Sequence, residues 1–338
     1  MTKEKSMTRI AINGFGRIGR SLTRALQQHS NIEIVAINDL ADTNTLAHLL
    51  KYDSVHGKFD GEISSTDSSI SINGKVIKAF NERDPKILPW ATLNIDMVIE
   101  STGLFLTKEL ASQHLTAGAK KVILSAPPKS NDIKTVVLGI NDDNLDGTEE
   151  IISNASCTTN AAAPLIKVLH DLCHIESAYI TTIHSYTSDQ TLHDAPHRDL
   201  RRARAGALSI IPTTTGAAKA ITKIFPDLDG NIGGCGIRVP VPNGSLIDIS
   251  VILKEDTTVD AINNAFKEAS KTYLKGILEY TEDPIVSIDI VGNPSSCIFD
   301  SQLTSLTGHM VKLVGWYDNE MGYSNRLAEL ILKTASIK

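Results

Sequence analysis

The stretch RIAINGFGRIGRSLTRALQQ (residues 9–28) decides how the first half of the chain is read. Residues 9–14 form a short apolar, β-prone run that ends in glycine. Ile18, Leu22, Ala25 and Leu26 then recur at helical spacing. The turn between the two carries Gly14, Gly16 and Gly19 as GxGxxG. Glycine lets such a turn be tight and lets backbone approach a pyrophosphate, whose charge the helix N-terminus stabilises. Alone, GxGxxG is a weak signal; the strand before it and the helix after it make it a dinucleotide-binding pattern.

Working outward, a second apolar run, IEIVAIND, ends at Asp39, about 20 residues beyond Gly19, where a carboxylate can accept hydrogen bonds from an adenosine ribose. Asp is also a common helix cap, so Asp39 reads either as a ribose ligand or as the cap of TNTLAHLLKY. A carboxylate there would repel a 2′-phosphate, which favours NAD over NADP. Two further runs, DMVIESTG and KKVILSAPP, end in Ser101, Thr102 and Ser125. In an open parallel sheet ligands lie beyond the carboxyl ends of strands, so these hydroxyls are cofactor contacts or plain turn residues. Before both, GEISSTDSSISINGKVIKAF alternates apolar and polar residues around Asn73-Gly74, which predicts a β-hairpin.

A chain of 338 residues exceeds what one core usually supports, so two domains are expected, although no Gly/Ser linker marks a boundary. A net charge of −6 excludes a general attraction to nucleic acid or anionic membrane, so an anionic ligand needs a local basic cluster. No apolar run approaches the roughly 20 residues that span a bilayer, and no targeting signal is visible. The four cysteines, Cys157, Cys173, Cys235 and Cys297, are scattered without CxxC spacing, which suits a reducing cytoplasm better than disulfides or zinc.

Cys157 lies in SNASCTTN (153–160), between an apolar strand and a helix expected from about Thr158 to Leu172, with Pro164 leaving the start or straightness of that helix open. A thiol at a helix N-terminus is expected to have a lowered pKa and to act as a nucleophile. The other reading is a buried, inert cysteine. His184 ends the β-branched strand of SAYITTIHSYTSDQ and is a candidate base, or in protonated form a partner for a thiolate. His170/His174 and His193/His197 share helix-face spacing but lack a third metal ligand. Downstream, PHRDLRRARAGALSIIPTTTG concentrates Arg198, Arg201, Arg202 and Arg204 before a threonine run and Gly216, and Arg238 follows. That composition suits phosphate, although most of the four clustered arginines are expected to form salt bridges; nucleic acid is not indicated, since interleaved aromatics are missing.

Taken together, INGFGRIGR, SNASCTTN, HSYTSDQ, DLRRARAGALSIIPTTTGAAKAI, RVPVP and WYDNEMGYSNR resemble the phosphorylating glyceraldehyde-3-phosphate dehydrogenases, in that family's order and over nearly the whole chain. The resemblance implies an α/β fold with a Rossmann-type, doubly wound NAD-binding domain at 1–156, completed by a C-terminal helix in 319–338. It also implies an α+β catalytic domain with a mostly antiparallel sheet at 157–318. A loop at about 187–211 would line a neighbouring subunit's cofactor site in a homotetramer, and Pro196 within it fits NAD-using members.

The implied reaction converts glyceraldehyde 3-phosphate and inorganic phosphate to 1,3-bisphosphoglycerate with reduction of NAD, in glycolysis or gluconeogenesis. Cys157 would form a hemithioacetal and then a thioester, with His184 as base. Arg17, Ile18, Arg83, Ser125 and Asn319 join Gly14, Gly16, Gly19 and Asp39 as implied cofactor residues. Thr187, Asp189 and Arg238 look like the substrate-phosphate site, with Asp189 orienting Arg238. Ser156, Thr158, Arg202, Thr215 and Gly216 look like the inorganic-phosphate site. The chain departs from the pattern at Ala161, where many members carry a second cysteine, and at PNGSLID after Arg238. The competing expectations are an erythrose-4-phosphate dehydrogenase and a binding protein on the same fold.

Overall fold

The computed structural model describes residues 7–337. Contacts divide the chain into one unit that runs to Val136 and includes Asp143–Ala155 and the segment from Leu327, and a second made of Val137–Asp142 and Ser156–Arg326.

The first unit holds a nine-stranded sheet whose central strand, Thr8–Asn13, pairs in parallel with Ile32–Asn38 on one side and Met97–Glu100 on the other. The chain therefore winds away from the centre in both directions, and the crevice for a ligand opens where the order reverses. Lys121–Leu124, Ile151–Ser153 and Lys134–Thr135 continue one wing in parallel, and Lys75–Phe80 continues the other. These strands read as apolar runs because both faces are covered: Ile10, Ile12, Ile37, Val98, Ile99, Ile123 and Leu124 are fully buried. Each such side chain contributes about 1.5–3 kcal/mol. The expected hairpin joins Ser69–Ile72 to Lys75–Phe80, with Asn73 and Gly74 both at positive φ (51° and 82°), as a two-residue primed turn requires. The helix Thr43–Lys51 is capped by Asp42, whose Oδ1 accepts from Thr45 N at 2.9 Å. That removes the helix-cap reading of Asp39.

The second unit holds an eight-stranded, mostly antiparallel sheet. Its strand Ile175–Ser185 pairs antiparallel with Ser245–Leu253 and parallel with Ile232–Val239, in a register that sets His184 opposite Arg238. Ser245–Leu253 pairs in turn with Met310–Tyr317, setting Ser245 opposite Tyr317. The helix Cys157–Cys173 runs unbroken through Pro164, whose ring nitrogen has no hydrogen to donate to the Asn160 carbonyl.

The division differs from the expected boundaries. Ser156 and 319–326 group with the second unit, because Ser156 caps its first helix and Asn319 is held by Ser185 and Ser245. Residues 137–142 join it too, where Gly139 packs so closely on Ile277 that a Cβ would lie 2.5 Å from Ile277 Cδ1. Among the described residues no helix is long and apolar enough to cross a membrane.

Candidate active site

A sharp turn delivers Cys157. Ala155 adopts the left-handed conformation at φ 56°, which costs an L-residue about 1–2 kcal/mol, and Ser156 then caps the helix by accepting from Thr159 N at 3.0 Å. Cys157 is therefore the first helical residue, and its Sγ lies 3.4 Å from His184 Nε2. Chain spacing could not bring these two together; the strand carrying His184 does.

The electrostatics run against the expectation of a lowered thiol pKa. Burial pushes the Cys157 thiol up, although Arg238 and the Thr158 hydroxyl and amide oppose it. Burial, with Arg238 adding to it, holds His184 down at about 3. The resting pair is thus a thiol beside a neutral imidazole, not a thiolate beside an imidazolium. Only 5% of His184 is exposed, so this pair is poised for proton transfer rather than for a standing charge separation.

The other ring nitrogen has two partners competing for it. His184 Nδ1 lies 2.7 Å from the Ser185 carbonyl oxygen and 2.6 Å from Arg238 Nη1. A carbonyl can only accept and a guanidinium can only donate, so Nδ1 serves one partner at a time. Bonded to Ser185, Nδ1 carries the hydrogen and Nε2 is a lone pair that can take the thiol proton. Tyr317 closes this pocket: its hydroxyl bonds Thr158 Oγ1 at 3.1 Å and Thr182 Oγ1 at 2.7 Å, its ring edge faces His184, and burial pushes its phenol up.

The anion cluster is assembled differently from expectation. Asp189 does not orient Arg238; it ion-pairs with Arg202 and lies 3.5 Å from His197. Arg202 also donates to Thr213 Oγ1 at 2.9 Å and sits 3.8 Å from Asp199. Arg202 is therefore held by two carboxylates, which offset much of its charge, while Arg238 is directed to the imidazole. Arg204 pairs with Asp194 at 2.8 Å, on the surface. Thr187 is half-buried, and its carbonyl accepts from Gln190 N. Thr215 Oγ1 accepts from Ala217 N at 3.3 Å, and Gly216 opens the helix Ala217–Ile224 with no side-chain cap and no atom within 4 Å of an added Cβ. Among the described residues no group of three acidic, cysteine or histidine side chains could hold a metal.

In the first unit the three glycines meet three different demands. Gly14 has φ 92°, and a Cβ on it would lie 2.7 Å from Thr102 N. A Cβ on Gly19 would lie 2.4 Å from the Gly14 carbonyl oxygen. Gly16 has nothing within 4 Å of an added Cβ and caps the helix Arg17–Leu26 without a side-chain hydrogen bond. A helix start of this kind fits a pyrophosphate. Asp39 accepts from Phe15 N at 2.7 Å and from Ala41 N at 3.1 Å, which fixes its carboxylate beside the turn. Arg17 points its guanidinium to Asp53 at 2.9 Å, and Ile18 is half-buried. Arg83 is exposed, and Ser125 is half-buried. Thr102 is a structural hydroxyl, donating to Glu100 and accepting from Leu104 N.

Two family models match. One, described as the NAD binding domain of glyceraldehyde 3-phosphate dehydrogenase, covers residues 8–108, and one described as its C-terminal domain covers 156–319. The chain belongs to the glyceraldehyde-3-phosphate dehydrogenase family. It is 55% identical over 325 residues to glyceraldehyde-3-phosphate dehydrogenase 2 of Streptomyces avermitilis, spanning 95% of this chain and 97% of that one. It is 52% identical to the Geobacillus stearothermophilus glyceraldehyde-3-phosphate dehydrogenase (97% and 98% covered) and 55% identical to that of Thermotoga maritima (97% and 100%). The cofactor of this dehydrogenase is NAD.

Several residues of the site escaped the sequence. Ser185 and Ser245 both donate to Asn319 Oδ1 at 2.8 Å, leaving the Asn319 amino group without a hydrogen-bond partner among the described residues. Tyr317 also went unnoticed. Ser185 directly follows His184, so its place at a strand end was a usable signal; Ser245 and Tyr317 are brought in only by strand register.

Proposed function

We propose that this dehydrogenase oxidises and phosphorylates glyceraldehyde 3-phosphate, with Cys157 as nucleophile and His184 as base. The observation that carries this reading is the 3.4 Å approach of Cys157 Sγ to His184 Nε2 in a pocket that keeps the imidazole neutral. Cys157 Sγ adds to the aldehyde carbon, and its proton passes through His184 Nε2 to the carbonyl oxygen as the C=O π bond opens, forming a C–S bond and a hemithioacetal. His184 Nε2 then takes the hydroxyl proton while Ser185 accepts from Nδ1. Bound NAD supplies the acceptor for the hydride lost from that carbon. The thioester left on Cys157 is attacked by an inorganic phosphate oxygen; the C–S bond breaks, the leaving thiolate takes back the proton held on His184 Nε2, and the acyl phosphate, 1,3-bisphosphoglycerate, departs.

Arg238, beside the imidazole, and Thr187 are the proposed holders of the substrate phosphate. Gly216 with Thr215, and Arg202 with Ser156 and Thr158, are proposed for the attacking phosphate, although Thr158 already bonds Tyr317 and Arg202 must share its charge with Asp189 and Asp199. The unpaired Asn319 amino group supports a role on the nicotinamide amide. Leu192, Leu200, Leu208 and Ile210 are 69–82% exposed, which supports burial of the 187–211 segment by further copies in a homotetramer.

The test compares NADH formation from glyceraldehyde 3-phosphate and from erythrose 4-phosphate, each with and without inorganic phosphate, on protein whose mass is measured by light scattering. Phosphate-dependent turnover of the triose by a tetramer is expected. Preference for the tetrose would replace the substrate, and a monomer mass would remove the assembly.

A further inference from the structure

A buried polar network in the first unit takes no part in the chemistry above. Glu100 ends the strand Met97–Glu100 with no exposed surface, and its carboxylate is met by four donors. Oε1 accepts from Thr102 N at 2.8 Å and from the Thr102 hydroxyl. Oε2 accepts from Asn13 Nδ2 at 2.6 Å and from His114 Nε2 at 3.1 Å. The histidine is held in one tautomer, because the Trp90 indole N–H can only donate, and it meets His114 Nδ1 at 3.1 Å. Nε2 therefore carries the hydrogen that Glu100 accepts. Asn13 continues the network, since its Oδ1 accepts from Asn38 Nδ2 at 2.7 Å, and Asn38 in turn exchanges bonds with the Glu82 backbone.

Asn13 and Asn38 end the two strands on one side of the point where the sheet order reverses, and Glu100 ends the strand on the other side. The segment that Glu100 folds, Thr102 to Leu104, lies so close to the glycine turn that a Cβ on Gly14 would touch Thr102 N. A fully buried carboxylate without these donors would cost several kcal/mol, so the sequence retains an expensive group where an apolar one would pack more simply. The group bonds the strand ends on the two sides of that point to each other.

We infer that Glu100, oriented by His114 and Trp90, is a positioning residue for NAD, locking the Thr102 segment and the Gly14–Gly19 turn into the shape that the dinucleotide requires. This rests on the glycine turn being the NAD site. Glu100 acts through the backbone it holds, and no contact with NAD is required of it.

The experiment measures NAD dissociation by calorimetry, together with kcat at saturating NAD, the KM for glyceraldehyde 3-phosphate and the melting temperature. Glu100→Gln puts an amide donor where an acceptor is needed and should weaken NAD binding about tenfold, with kcat and the substrate KM within about twofold of the parent. His114→Leu should shift NAD affinity in the same direction, and His114→Gln, whose amide can donate to Oε2, should recover most of the loss. Val122→Ala, a core truncation in the neighbouring strand, controls for simple destabilisation and should leave NAD affinity in place. Parental affinity in Glu100→Gln overturns the inference, as does an equal loss in Val122→Ala. If Glu100→Gln does not fold, the His114 pair decides: equal affinity in its Leu and Gln variants overturns it. Failure of Gly16→Ala to weaken NAD would indict the placement of the site instead, and so stays distinguishable.

Discussion

The glycine turn and the thiol pocket are built by opposite strategies. The first is continuous in sequence: residues 9–39 supply strand, turn, helix, second strand and carboxylate, with Gly14 and Gly19 meeting demands of the backbone beside them and Gly16 leaving open space at the helix start. The second draws on a helix start at Cys157, a strand end at His184, its neighbour's Arg238 and Tyr317 from a further strand, brought together by register across one sheet. A contiguous site is specified by local backbone geometry and fails locally. A site built by register is specified by the whole sheet, so its groups can be deeply buried, and their charges are set by one another rather than by local sequence.

The largest effect that separates the two is loss of the nucleophile. Cys157→Ser should reduce NADH formation by at least about 10³-fold, because the hydroxyl is a far weaker nucleophile beside the same neutral imidazole. NAD affinity by calorimetry should be unchanged, since the glycine turn is untouched. Turnover within tenfold of the parent would remove Cys157 from the chemistry, and a parallel loss of NAD binding would mean that the two regions are less separable than described.

A smaller effect divides the glycine turn itself. In Gly19→Ala the new methyl would sit 2.4 Å from the Gly14 carbonyl oxygen and 3.2 Å from Ile12 Cγ2, so backbone must shift. The expected cost is about 1–3 kcal/mol, read as a fall in melting temperature, with NAD affinity lost as well. Gly16→Ala meets nothing within 4 Å at an ordinary φ of −71°, so its melting temperature should hold while NAD affinity falls about tenfold, the methyl occupying the ligand's approach. Equal melting and equal binding losses in the two variants would break the assignment of separate roles.

How much was legible follows from the same contrast. The doubly wound sheet, the Asn73-Gly74 hairpin and the helix after Cys157 were readable, because period, turn chemistry and strand ends are local properties. The partners of the charged side chains were not. Asp189 was expected at Arg238 and holds Arg202, and Thr102 was a candidate ligand and instead braces Glu100. The direction of the Cys157 shift was also missed, since the helix terminus is visible in sequence and the burial that overrides it is not. Glu100, His114 and Trp90 read as unremarkable residues because a buried network has no sequence period.

The finest test lies between two aspartates three positions apart, since the sequence placed both a ribose and a cap role on Asp39 while the cap is Asp42. Asp42 caps the helix Thr43–Lys51, so Asp42→Ala should lower the melting temperature and leave the preference for NAD over NADP unchanged. Asp39 caps nothing; it accepts from Phe15 N inside the glycine turn, so Asp39→Gly should erode that preference through loss of the negative charge that repels a 2′-phosphate. Kinetics with both cofactors, alongside melting curves, read the two effects separately. If the preference moves with Asp42 and not with Asp39, the discriminating charge sits at the start of the helix, and the second strand contributes only the bond that steadies the turn.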